Sequence, residues 1–422
     1  MKRMKKTAAL LMTAVLAAGA FLTGCASGTA APAPSANAAG TTAAPAETKV
    51  PETTAAAETT AAAETTAAAE TTAAETTAAA ETTAAETTAA PETGAADAAV
   101  IESLKKAFLE EADQVEITED SVTFTDASGS GEPMTLKKGP EKVANLYGSF
   151  TTLWYEAGGT AAGVIGGDSA VELYEKFIGR DITQDEGVEV VADSSSGKKW
   201  DVEKIIALNP DLIICSTAMS GLSTIQAPAE AAGIPVIAVS YDDFGDYLKW
   251  FKVFSALTGH EDLWESVALK SLDEVVQVIA ECPDDGSGPK VFAMFSGAKS
   301  LQANTVNTVV GDMVSAMHAK NIVDDWDNAS GAERLEINLE TVFAADPDLI
   351  LVQCHAGQEV AEQQIAEFFG DNPVWAELRA VKEGRIVYLD PTLYHYKPNS
   401  RFAEAYQKMA EVLYPEQAFS FK

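Results

Sequence analysis

Apolar positions along this chain fall into two kinds of run. Short unbroken stretches read as strands buried on both faces: Lys142-Val-Ala-Asn-Leu146, Gly163-Val-Ile165, Val188-Glu-Val-Val191, Leu212-Ile-Ile214, Pro235-Val-Ile-Ala-Val239, Lys290-Val-Phe-Ala-Met-Phe295, Leu349-Ile-Leu351 and Arg385-Ile-Val-Tyr-Leu389. Between them the spacing is helical, around 151–157, 307–319, 359–369 and 400–413. Strands that alternate with helices predict an α/β protein with mostly parallel sheets covered on both sides. Ahead of these, Ile101, Leu104, Phe108 and Ala112 share one face of a helical lead-in over 98–113. Alternation over Val115–Thr118 and Ser121–Thr125, with a return at Met134 after a Gly-rich turn, predicts a hairpin at the entrance of the folded part.

One phrase occurs twice. Asp201-Val-Glu-Lys-Ile-Ile-Ala-Leu-Asn-Pro-Asp-Leu-Ile-Ile214 returns 137 positions later as Asn338-Leu-Glu-Thr-Val-Phe-Ala-Ala-Asp-Pro-Asp-Leu-Ile-Leu351. Each copy reads as a short helix, a Pro-Asp turn and a buried strand. Two copies so far apart predict two Rossmann-like lobes with a cleft between them, an N-terminal one over 114–240 and a C-terminal one over 282–422. Between the lobes, 241–281 is helical, with Tyr247, Phe251, Phe254, Leu257, Leu272, Val275, Val276 and Ile279 on its apolar side and an interruption at Gly259-His260. A long helix is therefore expected to join the lobes.

The first 97 residues follow other rules. Four cations precede an apolar run, Ala8–Leu22, that is too short to span a bilayer, and Leu22-Thr-Gly-Cys25 closes it. This is the pattern of a secretory leader (1–24) with a lipobox, in which Cys25 receives a diacylglycerol. Two acyl chains suffice for stable anchoring, so a location on the extracellular face of the cell membrane, held by lipid alone, is expected. Residues 25–97 are almost all Ala, Thr, Glu and Pro, and Glu-Thr-Thr recurs seven times between Glu52 and Thr88. With no apolar stripe to bury, this segment reads as a disordered tether spanning roughly 50 Å; a glycosylated stalk is the alternative.

The formal net charge is −34, and the leader holds four cations and no acid, so the chain without it carries −38. That balance argues against nucleic acid, which needs a basic footprint. It also argues against adhesion to anionic lipid through the protein surface. Beyond Cys25, Cys215, Cys282 and Cys354 have no tight spacing, which speaks against a disulfide framework or a zinc site and for small buried thiols.

The paired blocks, Ala-Gly-Ile-Pro-Val-Ile237, the run from Trp375 to Ala-Val-Lys-Glu-Gly-Arg-Ile-Val-Tyr388 and a helix ending Leu-Tyr-Pro415 resemble the iron–siderophore, haem and cobalamin binding lipoproteins of ABC importers over roughly 115–417. The resemblance implies two α/β lobes on one long helix, an ABC permease and its ATPase as partners, and a small-molecule ligand. It implies no enzyme activity and no cofactor of the protein's own. It also places one permease-docking glutamate at the start of the helix in each block, here Glu203 and Glu340. Charge pairing at two lobe tips would set register and orientation, although acids early in a helix also suit its dipole.

Ligands of parallel α/β sheets sit beyond the carboxyl ends of the strands. That rule selects Tyr147-Gly-Ser149, Gly166-Gly-Asp168, Asp193–Ser196 with Trp200, and Ser216–Met219 in the first lobe. In the second it selects Ser296–Ser300, Cys354-His355 and Leu393–Lys397. Tyr394, His395, Tyr396 and Lys397 form the densest chemical cluster: phenol and imidazole ligate or stack on an iron complex, and ammonium pairs with a carboxylate. Arg334 either meets an anionic ligand or pairs with Glu333 or Glu336. Four histidines without a His-rich loop argue against bare metal as cargo. An iron chelate, siderophore or haem, is favoured over cobalamin. A surface sensor or adhesin is a competing reading. An enzyme is another, but nucleophile-elbow, zinc-protease and P-loop motifs are missing. A monomer is expected.

Overall fold

The computed structural model describes residues 98–194 and 200–421. The leader, Cys25, the tether and Ser195 and Ser196 of the Asp193–Ser196 loop lie outside these. Helix α1 (Ala98–Leu109) leads into an antiparallel three-stranded sheet, β1 (Glu116–Ile117), β2 (Ser121–Thr125) and β3 (Pro133–Lys137). The N-terminal lobe follows with β4 (Val143–Asn145), α2 (Gly148–Glu156), β5 (Gly163–Ile165), α3 (Asp168–Phe177), β6 (Glu189–Ala192), α4 (Val202–Ala207), β7 (Leu212–Ser216), α5 (Gly221–Ala232) and β8 (Val236–Val239). Its strands form one all-parallel sheet in the order β6-β5-β4-β7-β8. Every residue of β4, β5 and β7 is buried, because helices cover both faces.

The joining segment is helical and is interrupted at Gly259-His260, as expected, so that two helices link the lobes. Helix α6 (Phe244–Thr258) is capped by Asp243, whose carboxylate accepts from the Asp246 amide at 2.9 Å. It ends where Gly259 takes φ +75°, a left-handed conformation that glycine adopts without strain. A π-helical stretch, Trp264–Leu269, then runs into α7 (Lys270–Glu281).

The C-terminal lobe comprises β9 (Lys290–Ser296), β10 (Leu301–Asn304), α8 (Val309–Ala316), β11 (Lys320–Asn321), β12 (Arg334–Leu335), α9 (Leu339–Ala345), β13 (Leu349–Cys354), α10 (Gln358–Phe369), α11 (Pro373–Glu377), α12 (Arg379–Lys382), β14 (Ile386–Leu389), α13 (Pro391–Tyr394) and α14 (Phe402–Leu413). Its sheet runs β12-β10-β9-β13-β14, with β11 also on β9. The β9, β13 and β14 ladders are parallel, but β10 is antiparallel to both β9 and β12. This lobe is mixed because the chain doubles back at Gly297–Ser300 and not through a helix.

The repeated phrase performs one task twice. Asp201 caps α4 by accepting from Lys204 N at 2.9 Å, and Asn338 caps α9 by accepting from Thr341 N at 3.1 Å. Asn209 and Asp346, which precede the prolines, both adopt positive φ, +48° and +45°. The aspartate after each proline then accepts from the backbone that opens its lobe. Asp211 takes the amides of Glu141 and Lys142 at 2.9 Å, and Asp348 takes that of Lys290 at 2.8 Å.

The largest apolar core is continuous from Val143, Leu212 and Ile237 of the first sheet through α6 and α7 to Val291, Leu349 and Leu351 of the second. Each lobe has a further core on its other face. All three cysteines in the described residues are free and buried, and burial pushes their thiols above the usual range. No helix among the described residues is long and apolar enough to cross a membrane.

Candidate functional site

The carboxyl ends of the two sheets face a common cleft. A cavity of about 600 Å³ is lined from the first lobe by Tyr147, the Gly166–Ala170 turn, Asp193, Ser194 and Met219, and from the second by Phe295, His355, His395 and Tyr396. A smaller one of about 300 Å³ lies against Ser216–Met219, Ser240–Asp242, Thr308, Glu333, Arg334 and Lys397. Tyr147, Met219 and His395 line both. Gly167 sits at the wall of the larger cavity with φ +87°, and a Cβ there would run into the Asp193 carbonyl.

Each lining side chain is held by identifiable partners. Tyr147 precedes α2 and packs on Phe150, with ring centroids 4.6 Å apart; burial, with Asp242 nearby, pushes its phenol up to about 12. His355 follows β13, and its Nδ1 lies 2.7 Å from Nε2 of His395, the residue that ends α13. Burial lowers both imidazoles. That of His395 falls to about 3, with His355, Arg334 and Lys397 adding to the effect. Neutral imidazole is therefore the resting form of both at physiological pH. Tyr396 meets the His395 ring edge-on at 4.9 Å, and burial raises its phenol. Arg334 donates to Asn304 Oδ1 at 3.1 Å and to Glu333 at 3.4 Å while its guanidinium lies 4.3 Å from the Phe295 ring centroid. Lys397 reaches across the cleft to Asp242 at 3.5 Å and lies over the Tyr241 ring.

Two of the sequence candidates are not in the cleft wall. Trp200 is packed in the core of the first lobe, where its indole N–H donates to the Ser194 carbonyl at 3.3 Å. Tyr394 is buried in the shared core, and its hydroxyl donates to the Ala405 carbonyl at 2.8 Å. The short helix α13 turns Tyr394 inward and lets His395, Tyr396 and Lys397 emerge, which is why those four do not all reach the cleft. Phe295, Asn304, Gln353, Tyr241 and Asp242 take part without having been singled out from sequence. Their one signal is position, at or just beyond the carboxyl ends of β9, β10, β13 and β8. His260 and His318 stand apart from both cavities.

Glu203 and Glu340 are exposed in the first turns of α4 and α9, at matching places in the repeated phrase. Glu333 is the acid that pairs with Arg334, rather than Glu336.

Two lobes on separate sheets, with a cavity between them that converging loops fill with aromatic and basic groups, define a solute-binding protein. Comparison with known proteins agrees. The periplasmic binding protein family model matches residues 143–393, and the chain belongs to that family. A Bacillus subtilis relative, the uncharacterized ABC transporter substrate-binding lipoprotein YvrC, is 25% identical over 302 residues, 70% of this chain and 86% of the relative. The iron(3+)-hydroxamate-binding protein FhuD of the same species is 25% identical over 282 residues, 65% of this chain and 81% of its own length. Among solved structures, Staphylococcus aureus IsdE complexed with heme superposes with a TM-score of 0.53 at 15% identity, covering 65% of this chain and 99% of that one. The family serves transport rather than catalysis, so the chain is a substrate-binding component that works with an ABC permease and its ATPase.

Proposed function

We propose that the protein captures an iron complex, a siderophore or haem, outside the cell and hands it to the permease of an ABC importer. The observation that carries this reading is the 600 Å³ cavity in which Tyr147, Phe295, His355, His395 and Tyr396 converge beside the Arg334 and Lys397 cations. Aromatic faces suit the organic shell of such a chelate, imidazole and phenol suit iron, and the cations suit acid groups at its rim. Relatives named for ferric citrate, ferric hydroxamate and heme support the same class. In this reading Cys25 carries the lipid that keeps the chain at the membrane, residues 25–97 are the tether, and the protein acts as a monomer. Glu203 and Glu340 dock its two lobes on basic residues of the permease.

The test is a thermal-shift titration of the full-length chain with haemin, ferric tris-hydroxamate, ferric tris-catecholate and cobalamin. A ligand that binds only the native state raises the melting temperature with the logarithm of its concentration. A rise with at least one iron complex and none with cobalamin is expected. A rise with cobalamin alone refutes the proposal.

A further inference from the structure

Of the four ring nitrogens of His355 and His395, two are spent on each other, His355 Nδ1 and His395 Nε2 at 2.7 Å. His395 Nδ1 is buried with no partner. That leaves His355 Nε2, which makes no hydrogen bond among the described residues, on a side chain that lines the larger cavity. The arrangement is built into the fold. Gln353, two residues before His355 on β13, donates to the Tyr394 carbonyl at 2.5 Å and accepts from Asn304 at 2.8 Å. The carbonyl just ahead of His395 is thus tied to the strand that presents His355. Phe295 stacks on His395 at 5.6 Å, and Arg334 lies over Phe295. The two imidazole planes stand at 89°.

We propose that His355 Nε2 ligates the metal of the transported complex and that His395 is its positioning residue. The inference rests on the iron-complex reading above and narrows it. A ligating imidazole must offer a lone pair at one nitrogen and usually donates from the other to a fixed acceptor. Here the acceptor is His395 Nε2. In the loaded state His355 carries its proton on Nδ1, and His395 carries its own on Nδ1. No group of three His, Cys, Asp or Glu suited to hold a metal occurs among the described residues, so one imidazole is offered to an ion that a chelator already holds. The cargo is then an iron complex with an open or water-occupied position, as a planar tetradentate macrocycle has, rather than a hexadentate chelate that fills the coordination sphere. Arg334 and Lys397 in the adjoining cavity suit carboxylates on the edge of such a macrocycle.

The experiment compares haemin with a ferric tris-catecholate on the full-length chain, by absorption spectroscopy and titration. Wild type is expected to give haemin an imidazole-ligated spectrum and to bind it in preference to the hexadentate complex. His355→Ala should lose that spectrum while the unliganded protein melts as before. His395→Ala should weaken haemin by about tenfold or more. His395→Gln, whose amide oxygen can accept from His355 Nδ1–H, should restore most of the loss, which a merely structural role would not allow. Equal haemin affinity and spectrum in wild type and His355→Ala would overturn the inference, as would binding of the tris-catecholate alone. Both results leave the iron-complex reading standing. Stabilisation by neither complex, nor by ferric tris-hydroxamate, defeats the two together.

Discussion

Glu156 is a carboxyl group held where charge is disfavoured. It ends α2 against Ser400 of the other lobe, whose amide and hydroxyl donate to it at 3.2 and 3.0 Å. Burial nonetheless raises it from 4.5 to about 7, against the pull of those donors and of Arg401. A carboxyl group with a raised folded pKa binds more protons than its unfolded counterpart between those two values. Stability therefore falls as pH climbs from about 4.5 to about 7 and stays reduced above. The loss is at most about 3 kcal/mol, and less because part of the side chain reaches solvent. Glu156→Gln should melt higher than wild type at pH 8 and show a smaller difference at pH 5, read by calorimetry at both. The sequence offered no hint of this, since an acid at a helix end is unremarkable until a second lobe closes over it. His355, His395 and Lys397 were legible for the opposite reason: polar residues just beyond a strand have few places to point other than the cleft. Trp200 and Tyr394 share that address but pack inward, because an aromatic ring follows whichever side of its loop faces apolar neighbours. Buried Tyr394 and cleft-lining His395 are consecutive at the end of α13, and periodicity over so short a stretch does not resolve them.

The elements most legible in the sequence were those the two phrases encode. Helix, positive-φ turn and strand recur because cap, Pro-Asp turn and buried apolar run are all local chemistry. The tie from Asp211 to the start of β4 is long-range, and only the fold reveals it. Asp211→Ala frees the Glu141 and Lys142 amides and should cost about 1 kcal/mol at this exposed site, while Asp211→Asn, which keeps an acceptor, should cost less. Denaturant midpoints for the pair decide it. The β9–β10 turn and the two-residue β12 escaped notice because Leu301-Gln-Ala-Asn304 alternates too briefly to register as a strand. Yet that hairpin pairs with β12, and its buried Asn304 accepts from Arg334, which lines the cleft. The interruption at Gly259 was readable, since a glycine after an apolar helical run marks a C-terminal cap.

The lobes share one continuous core, and Glu156–Ser400 together with Asn399, which donates to the Ser149 carbonyl at 3.2 Å and to Thr152 at 2.8 Å, add polar contacts across them. The faces that carry Glu203 and Glu340 are set by the two capped helices, so the spacing of these acids follows from the fold and not from the side chains themselves. On the docking role proposed for them, charge reversal at both, Glu203→Lys with Glu340→Lys, should abolish uptake in cells while ligand affinity of the purified chain stays within about twofold, because such a contact would lie outside the cleft. Unimpaired uptake would remove these residues from the docking surface. Two lobes and a cleft were readable because the phrase repeats; which lobe is mixed was not, because the hairpin lies outside the repeat. The enclosed sulfhydryls give the molecule a practical property. Neither extracellular oxidants nor maleimide dyes have ready access to Cys215, Cys282 or Cys354. A fluorophore attached to a cysteine introduced at an exposed position of either lobe would report on cargo capture without background from the native chain's interior.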